Sequence, residues 1–298
     1  MDRMLYPVLF GILFGVISRV YMMRTDYRQY PSYLHGKTIH IALGFIASCL
    51  GSVIAPAIID QDYTAVTFFT LAASQFRDVR NMERNTLSEL DSFEIVPRGK
   101  TYIEGIALVF EGRNYLVIVT SFLTTLAYLK FNVWVALAAG IACIVLSSFL
   151  MSGRKIRDIA DIRPIDLRFD DAGLYVGNVY MMNVGVNARQ EDIERWGKGF
   201  ILKPKNLNAS VCLTNLGQRQ AILHDCSSAL GIYKDSGNPA LTPLAKRDLE
   251  TGEIAIFILP REQDTERALQ VIGNVPTLES AYRDSKKRLQ ILRWKKGN

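Results

Sequence analysis

The sequence predicts a polytopic α-helical membrane domain followed by a soluble α+β domain. Apolar segments long enough, or nearly so, to cross a bilayer recur between Met1 and Ser152 and do not recur after Arg154. A helical crossing requires roughly 20 apolar residues. Shorter alternating and charged segments follow, as is typical of strands and helices in a soluble domain. We therefore divide the 298 residues into domains at 1–152 and 153–298.

Five spans are predicted in the first domain. They lie near residues 5–23, 39–59, 62–76, 114–130 and 133–151. The third is short, because the apolar stretch Thr64–Phe76 extends only about 20 Å as a helix. If it does not cross, it is a re-entrant or interfacial helix and the number of crossings changes. Small residues at i,i+4 spacing, such as Gly11 and Gly15, favour close packing of the helices.

The distribution of basic residues predicts the orientation in the cell membrane. Lysine- and arginine-rich segments remain in the cytoplasm. Such segments follow the first span (Arg24, Arg28, Lys37), occupy the charged loop 77–113 and follow the last span (Arg154, Lys155, Arg157). Five crossings then place the N-terminus outside and the C-terminal domain in the cytoplasm.

Two ionisable residues, Arg19 and His40, lie near the ends of predicted spans. Long basic side chains at such positions commonly extend to the lipid headgroups. The alternative is a polar site inside the helix bundle.

The loop 77–113 contains a charged helix and then a turn. Arg77, Arg80 and Glu83 lie in the helical part, and Arg80 and Glu83 have the i,i+3 spacing of an ion pair on one helix face. Pro97–Lys100 predicts a turn. Glu104 follows among apolar residues, where an arginine would have to pair with it or its pKa would rise, and Gly105 permits a bend or a close backbone contact.

The second domain has the pattern of a small α+β fold, in part ferredoxin-like. We predict strands at 165–169, 174–184, 200–203, 209–214, 241–246 and 253–259, and helices at 189–196, 217–232 and from Asp264 onwards. The C-terminal helix or tail is basic, with Arg283, Lys286, Lys287, Arg288, Arg293, Lys295 and Lys296. It is suited to anionic lipid or RNA, and its interleaved apolar residues favour lipid.

The sequence contains no HExxH zinc motif, no G-x-S-x-G nucleophile elbow and no P-loop. The three histidines are too scattered for a metal site, and no cofactor is predicted. The four cysteines lack paired spacing and are expected to be reduced thiols.

Two weaker constellations are the candidates for catalysis. His224 and Asp225 adjoin on one helix, with Ser227 and Ser228 beyond, but adjacent helical positions diverge by roughly 100° and cannot form a triad among themselves. Asp235 begins an Asp-Ser-Gly triplet, the hallmark of aspartic proteases. Because only one copy is present, a homodimer would be required. An ordinary buried histidine and a surface turn are the simpler interpretations of the two constellations.

The hexapeptide Tyr102–Ala107 spells YIEGIA, and the chain resembles the YIEGIA family of membrane proteins from endospore-forming Firmicutes. Three further stretches are similar to that family, at 75–84 (QFRDVRNMER), 216–225 (LGQRQAILHD) and 245–252 (AKRDLETG). The resemblance implies a role in sporulation. It also implies proteolytic activity that limits a translation initiation factor in developing spores.

Three functions remain open from the sequence. The first is a membrane-anchored protease acting on a cytoplasmic protein, with Asp225 and Asp235 as the candidate carboxylates. The second is a non-enzymatic scaffold that recruits a cytoplasmic partner or regulator to the bilayer. The third, a transport component, is suggested by Glu104 and Arg19, but intramembrane charge pairs and inverted repeats are not evident.

Overall fold

The computed structural model describes residues 2–26, 34–151, 153–235, 238–239 and 243–281. The chain divides into two compact units, a helical unit of residues 1–85 and 106–152 and a sheet unit of residues 86–105 and 153–298. The basic tail from Arg283 onwards, Ser236 and Gly237 lie outside the described residues, as does the side chain of Asp235.

Five long helices account for the first half of the chain: α1 Asp2–Asp26, α2 Leu34–Ile59, α3 Tyr63–Ser92, α4 Lys100–Lys130 and α5 Val133–Leu150. Within the described residues, four segments are long and apolar enough to cross a membrane: Met4–Thr25, Gly36–Ile59, Lys100–Lys130 and Val133–Leu150. The remaining predicted span, the third in chain order at 62–76, is not confirmed. It forms the apolar start of α3, which continues without a break into the charged segment that ends at Ser92.

Small residues let the helices of the helical unit approach closely, as the i,i+4 spacing predicted. A methyl group at Gly11 of α1 would overlap the hydroxyls of Thr125 and Ser52. A methyl group at Gly51 of α2 would overlap the backbone of Ile118 on α4. These contacts bring α1, α2 and α4 together by van der Waals packing, which is the main source of helix association where the solvent is lipid.

The sheet unit contains most of the remaining elements. In chain order they are α6 Ile156–Ile159, β1 Ala160–Ile165, β2 Leu167–Asp170, β3 Gly173–Val176, β4 Val179–Asn183, α7 Asn187–Trp196, β5 Lys198–Pro204, α8 Leu207–Thr214, α9 Leu216–Leu230, β6 Lys234–Asp235, β7 Asn238–Pro239, β8 Leu244–Arg247, β9 Ile254–Ile258 and α10 Thr265–Asn274. A short 3-10 turn, Glu279–Ala281, ends the described chain.

The strands form a four-stranded sheet in the order β1-β5-β9-β8, a three-stranded meander β2-β3-β4 and the small pair β6-β7. Every neighbouring pair of the four-stranded sheet is antiparallel. Strand β9 lies between β5 and β8 and is antiparallel to both, so β5 and β8 run parallel to each other and are joined through α8 and α9. This is the split βαβ arrangement that was predicted for part of the domain. Pro164 is accommodated because β1 is an edge strand.

The central strand β9 is buried at all five of its positions. Its Ala255 and Phe257 pack against the meander, in one core with Leu174, Val176 and Met181. Because side chains alternate along a strand, Ile254, Ile256 and Ile258 point to the opposite face. The sheet thus has apolar residues on both faces, which explains the continuous apolar sequence of β9.

One predicted strand, 209–214, is wrong. These residues belong to helix α8, which begins after Asn206, whose side-chain oxygen accepts a hydrogen bond from the Ala209 N–H at 2.9 Å. Ala209, Cys212 and Leu213 are buried on one helical face, a spacing that also fits a short apolar strand over so few residues. The N-terminal cap formed by Asn206 favours the helix.

Candidate active site

A cavity of about 540 Å³ in the sheet unit brings together two of the residues singled out from the sequence, His224 and Asp225. Helix α9 contributes both of them together with Ser228, and α10 lines the opposite wall with Arg267 and Asn274. Arg98, which precedes α4 in the chain, completes the lining. Residues 86–105, which we placed in a loop of the first domain, therefore contribute to the same compact unit as α9.

The segment that carries Val96 and Arg98 is held in a tight turn, as predicted for Pro97–Lys100. The Asp91 carboxylate accepts hydrogen bonds from the backbone N–H groups of Arg98 and Gly99, at 2.8 and 2.9 Å. Gly99 has a φ of +82°, a left-handed conformation that favours glycine. From α9, the side-chain amide of Gln220 donates to the Pro97 carbonyl oxygen at 2.7 Å. Together these contacts fix the backbone that faces His224.

His224 is buried, with 6% of its surface exposed. Its Nδ1 lies 2.7 Å from the carbonyl oxygen of Val96. A carbonyl oxygen can only accept, so Nδ1 carries the proton and Nε2 presents a lone pair. The hydroxyl of Ser228 lies 3.5 Å from Nε2 and can donate to it.

The result is a chain of three groups: a hydroxyl, an imidazole and a carbonyl that orients the imidazole. A serine nucleophile needs these roles, in which a base takes the hydroxyl proton and a third group fixes the tautomer of the base. The 3.5 Å separation is long, but such contacts commonly shorten when a substrate binds. Ser227 differs, because its hydroxyl donates to the backbone carbonyl of Leu223 at 2.7 Å.

Asp225 does not contribute to this chain. Its carboxylate pairs with the Arg98 guanidinium at 3.3 Å, and the two side chains are about a quarter exposed. Arg98 also lies over the ring of Tyr102, 5.7 Å from its centre. Asp225 therefore orients a cation at the rim of the cavity, and solvent screening makes the pair itself a weak source of stability.

The hexapeptide contributes contacts rather than chemistry. Tyr102 is buried, and a methyl group at Gly217 would lie 2.7 Å from the backbone nitrogen of Tyr102 and 2.9 Å from its Cα. An added methyl group at Gly105 would lie 2.5 Å from Ser280 Oγ and 2.9 Å from Leu278 Cδ2, so this glycine lies close to two side chains. Glu104 is half-buried on the same helix. Two stretches similar to the family, Tyr102–Ala107 and 216–225, therefore meet at a backbone-to-backbone contact.

Asp235, the second predicted carboxylate, is placed by its backbone in the short strand β6. Strand β6 pairs with the short strand β7. The other two residues of the Asp-Ser-Gly triplet, Ser236 and Gly237, lie outside the described part of the chain.

The remaining predicted residues belong to the helical unit. His40 Nε2 lies 3.5 Å from the Glu83 carboxylate, and Arg80 pairs with Glu111 at 2.8 Å rather than with Glu83 on its own helix. Arg77 is exposed. No group of three or more metal-ligating side chains occurs among the residues that the structure describes.

Arg19 does not extend to the surface of the protein. It is 1% exposed, its Nη2 lies 3.1 Å from His40 Nδ1, and its guanidinium lies 5.3 Å from the centre of the Phe110 ring. The structure therefore supports the alternative interpretation, a polar site within the bundle. A buried arginine requires such partners, because an isolated buried charge is very unfavourable.

The sequence argument named Ser228 without pairing it with His224, and it missed the contacts that Val96 and Arg98 make with α9. Ser228 had a usable signal, because it follows His224 by four residues and i,i+4 side chains meet on a helix. Val96 is 128 residues from His224 in the chain and Arg98 is 127 residues from Asp225, so only the fold brings these pairs together.

Comparison with known proteins gives these features a family context. Residues 7–288 match the family described as YIEGIA protein. A protein of Bacillus subtilis (strain 168), named "Uncharacterized protein YphB", is 56% identical over 283 residues, which cover 95% of each chain. No solved structure matches the chain.

Proposed function

Because the chain belongs to the YIEGIA family, which the hexapeptide had indicated, we propose that it is a membrane-anchored peptidase that cleaves a cytoplasmic protein. The observation that carries the proposal is the contact sequence Ser228 Oγ, His224 Nε2, His224 Nδ1 and Val96 carbonyl oxygen. It lies at a cavity large enough for peptide side chains.

In this mechanism Ser228 Oγ attacks the carbonyl carbon of the scissile peptide bond, and His224 Nε2 accepts the hydroxyl proton. The Val96 carbonyl stabilises the imidazolium through the Nδ1–H hydrogen bond. His224 then returns the proton to the leaving amine as the C–N bond breaks. Water hydrolyses the acyl-enzyme by the same proton transfers in reverse order.

The cations at the rim of the cavity suit the charge that develops during this reaction. Arg98 and Arg267 line it, and Asp225 holds Arg98 by its ion pair. Positive groups placed in advance near a developing oxyanion lower the barrier, because little reorganisation is needed at the moment of reaction. We assign Asp225 a positioning role, in place of the catalytic role predicted from the sequence.

The family resemblance extends the proposal to biology. We propose that the protein acts during sporulation and that its substrate is a translation factor whose removal limits translation in the spore. A non-enzymatic scaffold is the alternative, and the experiment below decides between the two.

We further propose five crossings, with the N-terminus outside and the sheet unit in the cytoplasm. From Ile59 back to His40, α2 extends about 28 Å, and from Tyr63 to Glu83, α3 extends about 30 Å. These equal lengths, together with the contact between His40 and Glu83, support an antiparallel pair that returns the chain to the level of His40. The burial of Phe76 with Met22 and Val117 supports the same arrangement.

A fluorophosphonate probe, which labels activated serines, tests the nucleophile without a known substrate. The full-length wild-type protein should be labelled, and Ser228→Ala and His224→Gln should not. Ser227→Ala is the matched control and should retain labelling, because its hydroxyl is bound to the helix backbone. Labelling that survives Ser228→Ala would overturn the assignment.

Co-expression with candidate substrates tests the activity itself. Substrate loss should fall by about 10⁶-fold in Ser228→Ala, the scale seen when a catalytic serine is removed. Asp225→Asn should reduce it less, and Asp235→Asn should leave it unchanged. Absence of both probe labelling and substrate loss in the wild type would favour the scaffold.

Labelling of introduced cysteines tests the topology. Tyr63 and Phe131 are 75% and 72% exposed, and each lies at a connection between helices. With five crossings, Tyr63→Cys and Phe131→Cys should react with an impermeant maleimide from the same outer side. Reaction from opposite sides would indicate four crossings.

A further inference from the structure

Two arginines of the sheet unit lie close together, and neither has an acidic partner in the part of the chain that the structure describes. Arg219 is on α9 and Arg247 is the last residue of β8. Within the described residues, neither has a carboxylate at ion-pair distance, and the Nε of each is buried without a hydrogen-bond acceptor. Arg98 also has a buried Nε without an acceptor, but its guanidinium is neutralised by Asp225.

Side chains alternate between the two faces of strand β8, and this alternation places Arg247 on the same side of the sheet as Arg219. Lys246 lies over the Tyr180 ring of the meander, 5.1 Å from its centre. Ala245 and Arg247 therefore point to the other face of the strand, towards α9. There Arg219 Nη1 donates to the Ala245 carbonyl oxygen at 3.1 Å, which holds its guanidinium beside β8.

Two acids of the β8–β9 turn, Asp248 and Glu253, are engaged elsewhere. The Asp248 carboxylate accepts hydrogen bonds from the Thr251 hydroxyl and the Glu250 backbone N–H, at 2.7 and 2.9 Å. Glu253 pairs with Arg163 across the sheet at 3.4 Å.

The pKa of Arg219 is also consistent with a neighbouring positive charge. Burial, and then the positive charge of Arg247, lower the pKa of Arg219 from its usual value. Two like charges held together in a partly dry site destabilise the folded protein, and an anion between them would reverse that effect. Planar guanidinium groups with free N–H donors match the oxygens of a phosphate group.

We propose that Arg219 and Arg247 form a binding site for a phosphate group, supplied either by inorganic phosphate or by the headgroup of an anionic lipid. Gly252 borders this site, where an added methyl group would lie 3.7 Å from Arg247 Nη2 and 3.6 Å from Ser210 Oγ. The site draws on two stretches similar to the family, 216–225 and 245–252, and neither Arg219 nor Arg247 takes part in the proposed peptidase chemistry. It does not depend on that chemistry.

Equilibrium dialysis with radiolabelled phosphate, on the full chain in phosphatidylcholine nanodiscs, tests the proposal. We expect about one phosphate per chain, and an affinity at least tenfold weaker in Arg219→Gln and Arg247→Gln. Arg168→Gln is the matched control, because Arg168 is an exposed arginine that stacks on Tyr175. Absence of binding in phosphatidylcholine, or binding that survives both glutamine variants, would overturn the proposal.

Two further measurements identify the source of the phosphate and exclude a structural role. Phosphatidylglycerol nanodiscs should block the labelled phosphate if a headgroup occupies the site, and should leave binding unchanged if free phosphate does. Without phosphate, Arg247→Gln should unfold at the same temperature as the wild type or higher, since a repulsion is removed. A lower unfolding temperature, with no phosphate effect on the wild type, would show that the pair is only structural.

Discussion

The contact between the hexapeptide and α9 makes a strong prediction for Gly217→Ala. The added methyl group would lie 2.7 to 3.0 Å from backbone atoms of Thr101 and Tyr102. Backbone atoms cannot rotate away, so the helices must separate. Overpacking of this kind destabilises a protein by about 1–3 kcal/mol, and the better helix propensity of alanine recovers about 1 kcal/mol at most.

With the full recovery of about 1 kcal/mol, the expected net loss is up to about 2 kcal/mol, measured as a lower unfolding temperature of the full chain in detergent. Gly112→Ala on α4 is the matched control, because its methyl group would meet no atom within 4 Å. That variant should be neutral or more stable by up to about 1 kcal/mol. Gly105→Ala should be milder than Gly217→Ala, because it meets the flexible side chains of Ser280 and Leu278. A Gly217→Ala protein as stable as Gly112→Ala would refute the close approach.

Three further predictions concern buried polar groups. Gln218→Leu should destabilise the protein by about 2–4 kcal/mol. The reason is that the Gln218 side chain accepts a hydrogen bond from the Leu278 N–H at 2.6 Å and donates one to the Pro276 carbonyl oxygen at 3.1 Å. Hydrogen exchange at the Leu278 amide should become faster, and unchanged exchange would contradict the prediction. Arg19→Ala should lower the free energy of unfolding by about 3 kcal/mol, measured by thermal unfolding in detergent. The control Arg24→Ala, at an exposed arginine, should change it by less than about 0.5 kcal/mol. Equal effects of the two substitutions would count against a buried polar site. Burial raises the pKa of the Cys212 and Cys226 thiols to about 12, from 9.0. Stability should therefore be complete below pH 9 and decline towards pH 12, as the unfolded chain loses these protons first. The double variant to alanine should flatten this decline, and an equally steep profile would contradict the assignment.

Local patterns in the sequence were sufficient for much of the architecture. Four spans could be read from length and apolar content, and the Pro97–Lys100 turn and the Asp264 cap from the chemistry of single residues. The YIEGIA hexapeptide identified the family. Such features depend on neighbouring residues, so periodicity and capping rules capture them.

The tertiary structure decided what depends on distant residues. Residues 209–214, predicted as a strand, belong to a helix, and Arg19 is buried in contact with His40. The fold also brought Val96 to His224 and Arg219 to Arg247, pairs whose members are far apart in the chain. Hydrogen-bond partners, burial and the proximity of like charges are properties of the folded chain, and a linear pattern of residue types does not contain them.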